Sequence, residues 1–363
     1  MMSPQRSINM VKTSFLLKKS YGVMQMYTSE LIVRITRGEI TESQHRGHIA
    51  VADTGGRVPF FAGNPRIVTF ARSAAKLIQA IPVIESGAAD HFRLTEEEIA
   101  LICASHNGEY GHIRTALSIL GKVGFGISDL QCGSHYPFHP GSAKALKQIH
   151  QTPGSLHNNC SGKHAGMLAL CAQMNVPSDD YLSIGHPVQQ AMLQTVSEMC
   201  GLSPDEIRLG IDGCGVPVFG MPIASLALAY SRLARPDKLP PERAEACHRI
   251  LAAIRANPFH LAGSGRYDTR LIEATGGRII GKMGAEAIYA LAVPEQGWGI
   301  VVKVEDGSVR ALYAAVMETL VQLQLLSEKE YAQLEEFHRP PVRNWQGKEV
   351  GRTEPDFTLR RGE

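Results

Sequence analysis

The chain has 363 residues, 44% of them hydrophobic and 20% charged, enough apolar content for a globular fold with a sizeable core. Its formal net charge is +2, so the chain as a whole offers no electrostatic case for nucleic acid or an anionic membrane, and a small neutral or zwitterionic ligand fits better. The longest apolar stretches, residues 223–229 and 285–293, fall far short of the roughly 20 residues a membrane helix needs. The seven cysteines, at 103, 132, 160, 171, 200, 214 and 247, lack the regular short spacing of a secreted disulfide framework. Reduced thiols in a cytosol fit them better, and a cytoplasmic protein is expected.

Residues 1–27 carry Arg6, Lys12, Lys18 and Lys19, but Phe15-Leu16-Leu17 is too short for the apolar region of a secretory signal. They are expected as a disordered extension or a misassigned start. From 31 to 70 the pattern is strand-like, with β-branched runs at 31–35, 48–52 and 58–61 broken by turns, as in an antiparallel meander. From Ser73 the period turns helical, and Thr95 with Glu98 is a capping box that opens a helix toward Cys103. Helices are expected near 110–123, 143–150, 163–174, 187–200, 223–233 and 242–255. Strands return at 278–280, 285–293 and 299–304, followed by a helix over 308–325 and a polar tail beyond residue 339. Strands at both chain ends with helices between them predict an α/β protein of the α+β type: one antiparallel sheet flanked by helices, with an inserted helical region. The expected division is an N-terminal extension (1–27), a single catalytic domain (28–338) with a sheet lobe (28–95 and 258–338) and a helical lobe (96–257), and a C-terminal tail (339–363).

Ser73-Ala74-Ala75-Lys76 follows an apolar run at 67–70 and opens a helix. A serine and a lysine three apart share a helical face, so a desolvated lysine amine can take the hydroxyl proton and make a nucleophile. Ser-x-x-Lys arises by chance on the order of once in a chain of this length. Its weight comes from order: Ser105-His106-Asn107 follows, and Lys282-Met283-Gly284 comes near the C-terminal end. The three resemble the Ser-x-x-Lys, Ser-x-Asn and Lys-Thr-Gly motifs of penicillin-binding proteins and serine β-lactamases, with Met283 in place of the threonine.

Two further segments read as site loops. His157-Asn158-Asn159-Cys160-Ser161-Gly162-Lys163-His164 gathers a thiol, an amine and two imidazoles at a helix start, and Gly210-Ile211-Asp212-Gly213-Cys214-Gly215 follows about fifty residues on. Two thiolates alone fall short of the four ligands of a zinc site, and buried unpaired cysteines are the alternative. Asp212 is a candidate for a substrate ammonium, with an Asx turn as the alternative. Arg72 is a candidate for the carboxylate, or for a neighbouring carboxylate, with a surface ion pair as the alternative. His164 is placed among the substrate-side residues, as a hydrogen-bond donor or a support for the thiol cluster. Residues 265–269 either line the pocket or cap a helix.

Taken together, Ala71 to Lys76, Ser105 to Glu109, His157 to Gly166, Asp212 to Pro217 and Gly281 to Glu286 closely resemble the Rhizobium etli type L-asparaginases of the asparaginase II family, over about residues 31–325. The resemblance implies a serine β-lactamase and glutaminase-like fold, a homodimer, and two Ser-Lys dyads, Ser73 with Lys76 and Ser105 with Lys282. It implies a Zn²⁺ site at Cys160, Lys163 and Cys214. The expected activity is hydrolysis of L-asparagine to L-aspartate and ammonia, with no nucleic-acid or membrane partner. Alternatives are a penicillin-recognising serine hydrolase or esterase, and an idle amino-acid- or metal-binding protein.

Overall fold

The computed structural model of the chain describes residues 28–362. The expectation for residues 1–27 falls outside them. Among the described residues, the strands are β1 (Glu30–Arg37), β2 (Ile40–Ala52), β3 (Phe60–Ala62), β4 (Val68–Phe70), β5 (Arg208–Ile211), β6 (Pro217–Pro222), β7 (Ile280–Gly284), β8 (Ile288–Val293), β9 (Trp298–Val304), β10 (Pro341–Arg343), β11 (Glu349–Pro355) and β12 (Arg360–Arg361). The main sheet runs β10-β11-β1-β2-β9-β8-β7, with β3 joined to β2 and β12, and the pairings are antiparallel. This is the α+β architecture expected, an antiparallel sheet built from both chain ends with a helical region between them.

The sheet is buried on both faces, which explains why its central strands read as continuous apolar runs rather than alternating ones. Alternation survives in side-chain size. Ala50, Ala52, Ala290, Ala292 and Val301 join the core shared with the helical region. Their sequence neighbours Ile49, Val51, Tyr289, Leu291, Ile300 and Val302 join the core under the C-terminal helices Val309–Gln322 and Glu328–His338. Small residues on the first face let the helix Ile223–Ala234 approach closely: a Cβ on Gly299 would lie 1.8 Å from the Ala227 carbonyl oxygen. On the second face, burying Leu312, Val316, Met317 and Leu320 contributes about 1.5–3 kcal/mol each.

Three sequence expectations are corrected. The strand read at 285–293 begins at Ile288, and the one read at 278–280 runs on to Gly284. Gly281 and Gly284 look like turn signals but lie inside β7, where a Cβ would strike the Tyr289 ring and the Ala71 carbonyl. The real turn is at Glu286 and Ala287, both with positive φ (61° and 51°). Residues beyond 339, expected as a tail, form β10 to β12 and pair with β1 and β3, extending the sheet lobe past residue 338. β10 is the outermost strand on this side, with β11 between it and β1. The helical region also holds strands: β5 and β6 pair with β4 in a small second sheet, order β4-β6-β5. No helix among the described residues is long and apolar enough to cross a membrane.

Candidate active site

β4 of the small sheet ends at Phe70, and the chain turns sharply into a 3₁₀ turn over Arg72–Ala75. Arg72 adopts φ 48°, the left-handed region that costs a non-glycine residue energy and so needs support from its surroundings. The support is visible. The Ala71 amide donates to the Phe219 carbonyl of β6 at 2.9 Å, and the Tyr230 hydroxyl donates to the Ala74 carbonyl at 2.6 Å. On the third side lies Gly284 of β7, so close that a Cβ there would sit 2.8 Å from the Ala71 oxygen and 3.1 Å from the Ala74 nitrogen. The Ser-x-x-Lys and Lys-x-Gly motifs therefore meet through backbone contact, and Ser73 is presented, partly exposed, on that turn.

Lys76 is 1% exposed. Its amine donates to the Ala104 carbonyl at 2.6 Å, the Ser105 hydroxyl at 3.0 Å and the Cys160 sulfur at 3.2 Å. Three polar partners thus surround the amine. The Ser105 amide in turn donates to the Leu261 carbonyl at 3.0 Å. The direct lysine–serine hydrogen bond is thus Lys76 with Ser105, whereas the implied dyads were Ser73 with Lys76 and Ser105 with Lys282. Lys282 is fully buried and donates to the Met283 carbonyl at 2.6 Å. Burial pushes its amine down to about 7, with Asp268 opposing the shift and Lys76 and Arg266 adding to it.

The thiol cluster lies next to Lys76. Gly162 and Gly166 let the helix Ser161–Met174 press against the end of the helix Glu96–Ile102: a Cβ on Gly162 would meet the Leu101 carbonyl oxygen at 2.2 Å. That contact sets the helix start and brings Lys163 to the Cys214 sulfur at 3.1 Å. The Cys160 thiol is held well below its ordinary value by a hydrogen bond from Cys214, against burial, with Lys76 and Lys163 helping. Cys214 is pushed up, first by that same hydrogen bond and then by burial. The pair shares one proton, with the thiolate on Cys160. Burial presses the Lys163 amine down, but Cys214, Cys160 and Asp212 outweigh it and hold the ammonium above its ordinary value.

This donor set fits Zn²⁺ chemically. Two sulfurs and an amine meet in one buried cluster, and the Asp212 Oδ2 stands 4.0 Å from the Cys214 sulfur. No group of three or more His, Cys, Asp or Glu residues gathers among the described residues, so a site here requires Lys163. The remaining cysteines are buried and free.

Asp212 opens the hairpin between β5 and β6, where its amide donates to the Val216 carbonyl at 2.9 Å and Gly215, at φ 89°, makes the turn. Its Oδ1 accepts from the Gly213 amide and from the Arg72 Nε, both at 2.9 Å. Arg72 also stands 3.9 Å from Glu286. Burial raises the Asp212 carboxyl, yet Lys163, the Gly213 amide and Arg72 together hold it below its ordinary value. Asp212 thus sits in a turn, and Arg72 forms an ion pair with a neighbouring carboxylate. His164 differs from its substrate-side expectation. It is fully buried, its Nδ1 is 2.7 Å from the Tyr181 hydroxyl, and burial holds it neutral, so it supports the helix behind Lys163.

A second loop closes on Ser105. The His106 Nδ1 accepts from the Gly108 amide at 3.1 Å, so Nε2 carries the proton and donates to the Ser161 hydroxyl at 2.9 Å. The Glu109 carboxylate accepts from the Ser264 amide and hydroxyl, both at 2.8 Å. Gly263, at φ 116°, permits this, because a Cβ there would meet Glu109 at 2.6 Å and Asn107 at 2.7 Å. Arg266 donates to the Asn107 Oδ1 at 3.1 Å. Residues 265–269, read in the sequence as lining the pocket or capping a helix, thus place Arg266 against the Ser105 loop.

A family model described as L-asparaginase II matches residues 33–355. Similar solved structures include a β-lactamase (Mb2281c) from Mycobacterium bovis, 13% identical over 80% of this chain and 95% of its own, TM-score 0.39. A putative β-lactamase from Bacteroides dorei is 13% identical over 75% and 92%, TM-score 0.39. Simvastatin synthase from Aspergillus terreus is 12% identical over 71% and 86%, TM-score 0.36. At scores below 0.5 these likenesses carry no argument, and the family match stands by itself. No curated protein sequence matches the chain.

Proposed function

From the premise that this chain belongs to the L-asparaginase II family, we propose that it is an amidohydrolase of the Rhizobium etli type, converting L-asparagine to L-aspartate and ammonia. The observation that carries the reading is the buried Lys76 amine, three residues past Ser73 and hydrogen-bonded to both Ser105 and Cys160.

In the first step the Ser73 Oγ forms a bond to the side-chain carboxamide carbon, and its proton passes to Lys76. Ser105, hydrogen-bonded to Lys76, relays that proton to the departing nitrogen; the C–N bond breaks and ammonia leaves. Water then attacks the aspartyl ester, its proton going to Lys282; the ester bond to Ser73 breaks, L-aspartate leaves, and that proton passes on to the Ser73 oxygen, restoring the hydroxyl. An amine pushed to about 7 is part-neutral at physiological pH and suits that second role. Asp212 receives the substrate ammonium, with Arg72 holding the carboxylate in place. Cys160, Lys163 and Cys214 would hold Zn²⁺, which when bound supplies a fixed positive charge that helps to orient the substrate. Glutamine, longer by a methylene, places its amide away from Ser73 and reacts weakly or not at all.

A cytoplasmic homodimer is part of the proposal. It is supported by the family resemblance and by the apolar Leu209 and Ile211 of β5, 45% and 84% exposed beside Asp212. The direct test is ammonia release from L-asparagine and L-glutamine, with the colour change of a chromogenic β-lactam as control, by wild type and Ser73→Ala, with and without Zn²⁺. Asparagine turnover lost in Ser73→Ala supports the reading. β-Lactam hydrolysis without asparagine turnover, or tight asparagine binding without ammonia release, would replace it.

A further inference from the structure

We propose that Arg266 is a specificity-determining residue that receives the α-carboxylate of the substrate, an inference that rests on the asparaginase reading above. The cations around Ser73 are otherwise committed. Lys76 uses its donors on Ala104, Ser105 and Cys160, Lys163 faces Cys214, and Lys282 is enclosed against Met283. Arg72 is in an ion pair with Asp212 and stands near Glu286. Arg266 has no carboxylate within ion-pair distance among the described residues, and unlike the three lysines it is only half-buried.

Its position joins two of the three motifs. The side chain is half-buried, and its NH1 donates to the Oδ1 of Asn107, the third residue of Ser105-His106-Asn107. Its NH2 lies 3.5 Å from the sulfur of Met283, the middle residue of Lys282-Met283-Gly284. A guanidinium has five N–H donors in a fixed fork; Asn107, Met283 and the Tyr313 hydroxyl engage part of it, and no carboxylate does. Glu109 is held by Ser264 and Asn107, and Asp268, 1% exposed, makes no ion pair with Arg266. A half-desolvated, unpaired guanidinium is costly alone, and a ligand carboxylate satisfies its charge and its free donors together. Met283 fits this arrangement, since a thioether offers the fork only a weak acceptor and leaves it to the ligand.

Arg266→Gln and Arg266→Lys separate this role from a purely structural one. The readouts are KM and kcat for L-asparagine, inhibition by L-aspartate, and inhibition by β-alanine, which is L-aspartate without its α-carboxylate. The expected result for Arg266→Gln is KM and the L-aspartate inhibition constant raised about ten- to hundredfold, the loss of a charge-assisted hydrogen bond. kcat and the β-alanine constant change less than about threefold on the same scale, and Arg266→Lys recovers part of the affinity. A KM within about twofold of wild type in a folded Arg266→Gln, or equal weakening of L-aspartate and β-alanine, overturns the proposal. If the wild type releases no ammonia, calorimetric binding of L-aspartate decides the matter separately: no binding by wild type, or equal binding by Arg266→Gln, overturns it.

Discussion

The Lys76 amine lies 3.0 Å from the Ser105 hydroxyl, although the serine placed to meet it in sequence is Ser73. One buried amine therefore links the turn that presents the nucleophile to the second serine motif and, through the Cys160 sulfur, to the thiol cluster. Removing it should do more than remove a base. Lys76→Met is expected to lower kcat by at least about 10³-fold, and Ser105→Ala by a smaller factor of about 10². Steady-state ammonia release measures both; a Lys76→Met enzyme within tenfold of wild type would rule out the relay.

Lys282 gives the activity a pH dependence. If it must be neutral to accept a proton, kcat rises with pH through about 7 and levels above it. Stability follows the same group. Folding lowers its proton affinity from the ordinary 10.5 to about 7, so the unfolded chain binds more protons between those values and stability rises with pH across that window. The slope is at most about 1.4 kcal/mol per pH unit. Lys282→Met should be inactive yet more stable than wild type, by the largest margin at or below pH 7 and by a vanishing margin near pH 10.5. Denaturant unfolding at several pH values measures it, and a pH-independent difference would show that Lys282 is not buried as a depressed amine.

Gly284 is the contact between β7 and the nucleophile turn. Gly284→Ala puts a methyl 2.8 Å from the Ala71 oxygen and should cost about 1–3 kcal/mol of stability. Because that oxygen belongs to the Ser73 turn, kcat should fall more than KM changes. Unchanged kinetics in a destabilised Gly284→Ala protein would separate the turn from catalysis.

The thiol cluster holds ionisable protons that a metal must displace. Zn²⁺ added to metal-free protein in weakly buffered solution should release protons, from Cys214 and from the raised Lys163 ammonium, and should protect both thiols from alkylation. Cys160→Ser should weaken both effects by tenfold or more in Zn²⁺ concentration, an approximate scale for losing one ligand. Proton release that persists in Cys160→Ser would place the metal elsewhere.

Long helices with chemical punctuation were legible in the sequence. Tyr110–Val123 is stopped by Gly124 in the left-handed region, and Pro187–Cys200 begins on proline and ends at Gly201 in the same region. Less legible were elements whose glycines serve packing. Gly281 and Gly284 mimic a strand end, and the hairpin through Asp212 hides β5 and β6 behind a sequence that reads as a ligand loop. The strands after residue 340 carry Arg352 and Glu354 in β11, next to the outermost strand β10, and a partly exposed polar strand cannot be told from a tail by composition. At the site, spacing identified the residue types but not their partners. That Lys76 turns to Ser105, that Arg72 meets Asp212 and that His164 faces Tyr181 are tertiary facts with no local signal.

The most direct measurement is acid quenching of asparagine turnover within the first catalytic cycle, followed by peptide mapping by mass spectrometry. The account predicts an aspartyl ester on the peptide bearing Ser73, absent in Ser73→Ala and unaffected in position by Ser105→Ala. An ester on Ser105, or turnover by an enzyme that never carries an acyl group, would contradict it.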